Sequence, residues 1–124
     1  MHGADDVVPA ESALDQPQVG GSGAVVTVFR SRLRPGSEAD YELLAARMDD
    51  LARSQPGFVD FKMFVAEDGE RVSIVRFADR TSHEAWRRHP EHRAAQAEGR
   101  RHLYRQYSIL VGEVTAERSY DTAG

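Results

Sequence analysis

Between Glu84 and Tyr107 the chain reads EAWRRHPEHRAAQAEGRRHLYRQY, a stretch holding its one Trp, three of its five His and six of its fifteen Arg. An imidazole moves protons or binds metal, a guanidinium holds anions, a phenol donates a hydrogen bond, and an indole offers a flat apolar wall. His92 follows Pro90 by two residues, on the first turn of a helical piece. It is the best candidate for a general base, with a solvent-facing imidazole on a charged helix as the alternative. His89 is a weaker candidate and can cap the preceding helical piece through its ring. His83 reads as a surface helix residue. His102 lies near a helix end, where a cation interacts favourably with the dipole. Trp86 is either a core residue or a pocket wall.

A metal site is disfavoured. Pro90 breaks the register between His89 and His92, Cys is absent, and no third ligand stands at a recognisable spacing. Tyr104 and Tyr107 open the last strand, where either hydroxyl can reach a phenolic ligand or simply pack at a sheet edge. Arg76 is an oxyanion partner if it points inward; alternation with Ile74 offers a place on the opposite sheet face instead. Phe29 and Phe61 are pocket or core walls. Most of the Arg residues read as a solvated helix face. Nucleic-acid binding would want aromatics interleaved with that basic stripe, and the net charge of −4 also argues against it.

The elements that position these residues follow from periodicity and punctuation. Residues 1–22 are rich in Gly, Pro, Ala, Gln and acid, and read as a disordered leader without signal-peptide character. Ala24 to Leu33 is β-branched and alternating, which predicts a strand, closed by RPGS. Ser37 with Asp40 resembles a capping box, and Tyr41, Leu44, Met48 and Leu51 form one apolar stripe on a helix to about Ser54. QPGF breaks that helix. Strands at Phe58 to Val65 and Val72 to Phe77 flank the acidic EDGE turn. Thr81 with Glu84 predicts a second helix cap, and His89-Pro90 interrupts that helix. Pro90 then serves as the first residue of a new piece running from Glu91 to about Arg101. Tyr104 to Thr115 is the last strand, and residues 118–124 form a flexible tail.

This order predicts an α+β, ferredoxin-like split βαβ domain over residues 23–117, with a four-stranded antiparallel sheet and both helical segments on one face. The other sheet face carries apolar side chains, which predicts a homodimer closing a dimeric α/β barrel. No apolar run is long enough to span a bilayer, and the lack of Cys fits a cytoplasmic location.

The blocks VVTVFRSRLRPG, QPGFVDFKMF and SHEAWRRHPEHRAAQAEGRRHLYRQYSILVGEV resemble the antibiotic biosynthesis monooxygenase family of the dimeric α/β barrel superfamily, over about Val25 to Val114. The resemblance implies a pocket between sheet and helices, with Trp86 on its wall. It implies oxidation of an aromatic polyketide-like phenol, anthrone or quinol by O2, without metal or bound cofactor. His92, Tyr104 and Trp86 are then the catalytic candidates, and Phe29, Phe61, Arg76 and His89 the substrate-pocket candidates. Partners are a small aromatic substrate, O2 and a second copy of the chain, with no nucleic acid and no membrane. Alternatives are a non-catalytic ligand-binding or stress-related dimer, a reduced-flavin-dependent oxygenase, and a heme-binding or heme-degrading protein. The heme-degrading relatives carry an Asn where this chain has Phe29, and a ligating His where counting from Trp86 reaches Ala95 and Gln96.

Overall fold

The computed structural model describes residues 23–122; the leader expected over residues 1–22 lies outside them. Four strands and three helices alternate along the chain: β1 (Val25–Leu33), α1 (Glu38–Arg53), β2 (Phe58–Val65), β3 (Arg71–Phe77), α2 (Arg80–Arg88), α3 (Pro90–Glu98) and β4 (Tyr104–Glu113). A single π turn, Gly99–Leu103, joins α3 to β4. The strands form one antiparallel sheet in the order β2-β3-β1-β4. This is the ferredoxin-like topology expected from the order of elements.

The apolar stripe of α1 faces the sheet. Tyr41 and Leu44 are buried with Ala95 of α3 and Leu103 of the π turn. A second cluster, Ala52, Val75, Phe77 and Trp86, ties the end of α1 to β3 and α2. Side chains on a strand alternate between faces. Phe29, Phe61 and Val75 therefore look toward the helices, while Val28, Ile74, Lys62 and Leu110 share the opposite face in register. Leu110 there is 67% exposed and Phe64 47%.

Local chemistry sets the breaks. Gly57 has φ of +81° after α1, and a Cβ there would run into the Ser82 side chain, so the QPGF turn needs glycine twice over. The hairpin turn at Gly69 also uses a positive φ, +89°. Asp79, rather than the expected Thr81, caps α2. Its carboxylate accepts from the Ser82 amide at 2.7 Å, which holds it below the usual carboxylate range. Glu84 is drawn outward to Arg87 and Arg88 instead. Ser37 sits at the N-cap of α1 without bonding its helix; its hydroxyl lies between the carbonyls of Arg34 (2.7 Å) and Leu103 (3.2 Å).

Two expectations are corrected. His83 is not a surface residue but 4% exposed, packed edge-on against Phe77, with Nε2 2.9 Å from the Thr27 hydroxyl. One turn of α2 thereby faces β1. The last helical piece is α-helical only to Glu98, and its remainder is the π turn. Residues 118–122 have no regular structure, yet Glu117 just before them is anchored: its carboxylate accepts from both Nη atoms of Arg76 at 2.6 and 2.7 Å. Among the described residues no helix is long and apolar enough to cross a membrane.

Candidate functional site

A cavity of about 820 Å³, counting space open to solvent at its mouth, lies between the helices and the sheet. The sheet and α1 supply an apolar wall that includes Phe29, Phe61, Val75, Leu44 and Met48. The end of α2 supplies Trp86. Facing them, α3, the π turn and β4 contribute His92, Gln96, Arg100 and Tyr104, four residues apart in each case.

Trp86 and His92 are brought together by the break at Pro90. His89, just before the proline, is extended (φ −59°, ψ 131°), which lets α3 fold back along α2. The imidazole of His92 stacks on the indole with centroids 3.9 Å apart and planes inclined by 23°. Phe77 stacks on the same indole at 5.9 Å, so Trp86 has two ring neighbours. Burial pushes His92 down to about 4, a shift that the main-chain groups of Arg87 and Trp86 offset only in part. The ring is therefore neutral at physiological pH. Its Nδ1 is buried and has no hydrogen-bond partner among the described residues.

Tyr104 packs edge-on to Phe29 at 5.2 Å and to Tyr41 at 6.3 Å. Burial raises its pKa well above the usual phenol value, so its hydroxyl stays protonated and is able to donate a hydrogen bond. Tyr41 is raised for the same reason, and its hydroxyl donates to Met63 Sδ at 3.1 Å. The Tyr104 ring rests on Gly99, where a Cβ would overlap the ring edge. Glycine at this place is thus a requirement of close approach.

The π turn is held from outside. The main-chain N–H of Arg34 donates to the Leu103 carbonyl at 2.7 Å, and the Arg34 side chain donates to the carbonyls of Tyr104 (3.1 Å) and Arg100 (3.2 Å). A widened turn leaves carbonyls without regular helical partners, and this clamp satisfies them.

Trp86, His92, Tyr104, Phe29 and Phe61 thus all border one cavity. Arg76 and His89 do not. Arg76 sits on the opposite sheet face, paired with Glu117. His89 turns its ring to α3, where Nδ1 accepts from the Glu91 amide at 3.1 Å; it caps the piece that follows, not the one that precedes. Arg100 was hidden by its basic neighbours, and only the four-residue spacing from His92 marks it out. No cluster of three or more His, Cys, Asp or Glu suited to a metal ion occurs among the described residues.

Residues 24–98 match the family model described as antibiotic biosynthesis monooxygenase. The chain belongs to the antibiotic biosynthesis monooxygenase family. The match covers the Trp86–His92 pair and stops just short of Arg100 and Tyr104. Among relatives of this monooxygenase family member, the uncharacterised protein YqjZ of Bacillus subtilis is 30% identical over 93 residues, 75% of this chain and 82% of that protein. Rv0793 from Mycobacterium tuberculosis superposes with a TM-score of 0.65 at 22% identity, covering 82% of this chain and 99% of that one. SnoaB from Streptomyces nogalater, a cofactor-independent oxygenase, superposes with a TM-score of 0.63 at 23% identity, covering 78% of this chain and 96% of its own. At these identities the solved structures show a shared fold.

Proposed function

We propose that the chain is a cofactor-independent monooxygenase that oxidises an aromatic polyketide-like phenol, anthrone or quinol with O2. The observation that carries this reading is a cavity with an apolar wall, bordered on one side by a neutral His92 stacked on Trp86 and by the Tyr104 hydroxyl donor. Membership of the family and the likeness to SnoaB support it.

For an anthrone the chemistry balances without a further reductant: the methylene carbon loses two hydrogens and gains one oxygen atom as the carbonyl of a quinone, and the second oxygen leaves as water. The slow event is forming the enolate that reduces O2. His92, with a pKa near 4, is a weak base. Rate acceleration then comes mainly from stabilising the enolate oxygen through the Tyr104 hydroxyl, which lowers the acidity barrier the imidazole must meet. The apolar walls exclude water and strengthen those contacts.

Aerobic oxidation of 1,8-dihydroxyanthrone, followed by quinone absorbance with a chelator present, tests the reading. Wild type accelerates it, while His92→Phe and Tyr104→Phe each lose roughly tenfold or more. A rate equal to buffer in all three overturns it.

His92's weak basicity favours one other reading, a ligand-binding dimer without turnover; binding of the anthraquinone product without anthrone oxidation would establish that instead. The exposed Leu110 and Phe64 on the helix-free sheet face support the homodimer. Sedimentation of a monomer at micromolar concentration would overturn that part.

A further inference from the structure

No carboxylate lines the cavity among the described residues, and Arg100 is the one side chain there with a permanent charge. Most other cations near the sheet are neutralised: Arg30 by Glu70, Arg32 by Asp68, Arg71 by Glu42 and Arg76 by Glu117. Arg100 has no carboxylate within ion-pair distance among the described residues. Arg100 is exposed while still bordering the cavity, which puts this residue at its mouth. An exposed guanidinium is solvated by water, and a ligand seated against it must displace part of that water. A ligand that displaces this hydration without supplying an anion is penalised.

The placement depends on the π turn. In an α-helix, each step of four residues overshoots a full turn by about 40°, so His92, Gln96, Arg100 and Tyr104 would drift around the axis and off one face. The π turn closes hydrogen bonds from i to i+5, advances less per residue, and takes that drift back. The result is a row of polar residues along one side of an otherwise apolar cavity, with Arg100 the one cation among them. The Arg34 side chain fixes the far end of this line through the carbonyls of Arg100 and Tyr104.

We propose that Arg100 is the anion-recognising residue of the cavity, and that the aromatic ligand carries a carboxylate, or an equally ionised oxygen, at the end nearest the π turn. The inference rests on reading the cavity as an aromatic-ligand site, and it names the class of ligand. It is independent of turnover. A planar ring system fits between the apolar wall and the Trp86–His92 stack, with hydrogen-bonding oxygens along the edge facing Gln96 and Tyr104.

The test is binding of two oxidised probes that cannot turn over. Quenching of Trp86 fluorescence in the full-length protein is titrated with 1,8-dihydroxyanthraquinone-3-carboxylate and with its neutral 3-hydroxymethyl counterpart. Wild type binds the carboxylate more tightly by about tenfold or more, the worth of a charge-assisted hydrogen-bonded pair. Arg100→Gln removes that preference while its affinity for the neutral probe stays within about twofold, and Arg100→Lys keeps part of the preference because the charge remains. Equal affinities in wild type, equal losses for both probes in Arg100→Gln, or no binding of either probe overturns the proposal. Carboxylate preference without anthrone oxidation would overturn the monooxygenase reading and leave this inference standing; oxidation without preference would do the reverse.

Discussion

The imidazole of His92 lies face to face with the indole of Trp86, ring centroids 3.9 Å apart, although five residues, Pro90 among them, separate them in the chain. This stack joins the two helical pieces and forms one corner of the cavity. It also explains why His92 is neutral: a ring covered by an indole and by α3 has little water with which to solvate a charge.

The buried imidazole makes stability depend on pH. Folded His92 titrates near 4, while in the unfolded chain it returns to about 6.5. Its contribution is fully present above about 6.5 and is lost as pH falls toward 4, because the unfolded chain takes up a proton that the folded one refuses. The loss reaches about 3 kcal/mol. His83 is lowered by burial and pulls in the same direction. Urea melts between pH 7 and pH 4 should therefore steepen for wild type, and His92→Phe, which keeps a stacked ring but cannot titrate, should flatten the slope. Parallel slopes for the two proteins would contradict the account.

Gly99→Ala should damage the site more than its size suggests. The new methyl would overlap the edge of the Tyr104 ring, so that ring must move. Overpacking of this kind costs about 1–3 kcal/mol. Binding of the anthraquinone probes should fall with it. A variant as stable as wild type, with unchanged probe affinity, would show that the contact has room to relax.

Arg34 acts on the site only through the π turn. Arg34→Gln removes side-chain donors to the carbonyls of Arg100 and Tyr104 and should cost about 1 kcal/mol of global stability. Amide hydrogen exchange should quicken at residues 99–104, and the carboxylate preference of the cavity should weaken. Unchanged exchange there would separate Arg34 from the positioning of Arg100.

His83 ties α2 to β1 through the Thr27 hydroxyl. His83→Ala should destabilise the fold by about 2–4 kcal/mol, from the cavity left behind and the orphaned hydroxyl together, whereas Thr27→Val should cost nearer 1 kcal/mol. Thermal melts at pH 7.5 distinguish the two. Equal and small losses would mean that α2 is held to the sheet by Phe77 and Trp86 alone.

The strands and the break at Pro90 were legible because their signals are local: alternation, β-branching, an Asp-Gly turn, and the restriction proline places on His89. The expected starts of β1 and β3 fall within one residue of those observed. The ring set of Trp86, His92 and Phe29 was legible from family resemblance joined to spacing. What escaped depends on contacts distant in sequence. The carbonyls of the π turn are met by Arg34 and Ser37, some 66 residues upstream, and nothing between Gly99 and Leu103 announces it. His83 sits between Ser82 and Glu84, so its polar flanks concealed an inward face that only Thr27 reveals. Arg76 could be placed on either sheet face until Glu117 was seen to reach it.

The central claim is that this cavity directs one atom of O2 onto the activated methylene carbon of an anthrone-like substrate with no added cofactor. Its most direct test is oxidation of 1,8-dihydroxyanthrone under ¹⁸O2, with chelator present and mass spectrometry of the quinone. The account predicts enzyme-dependent formation of quinone bearing one ¹⁸O, diminished in Tyr104→Phe. Quinone formed at the buffer rate, or enzyme-formed quinone whose new oxygen comes from water, would contradict it.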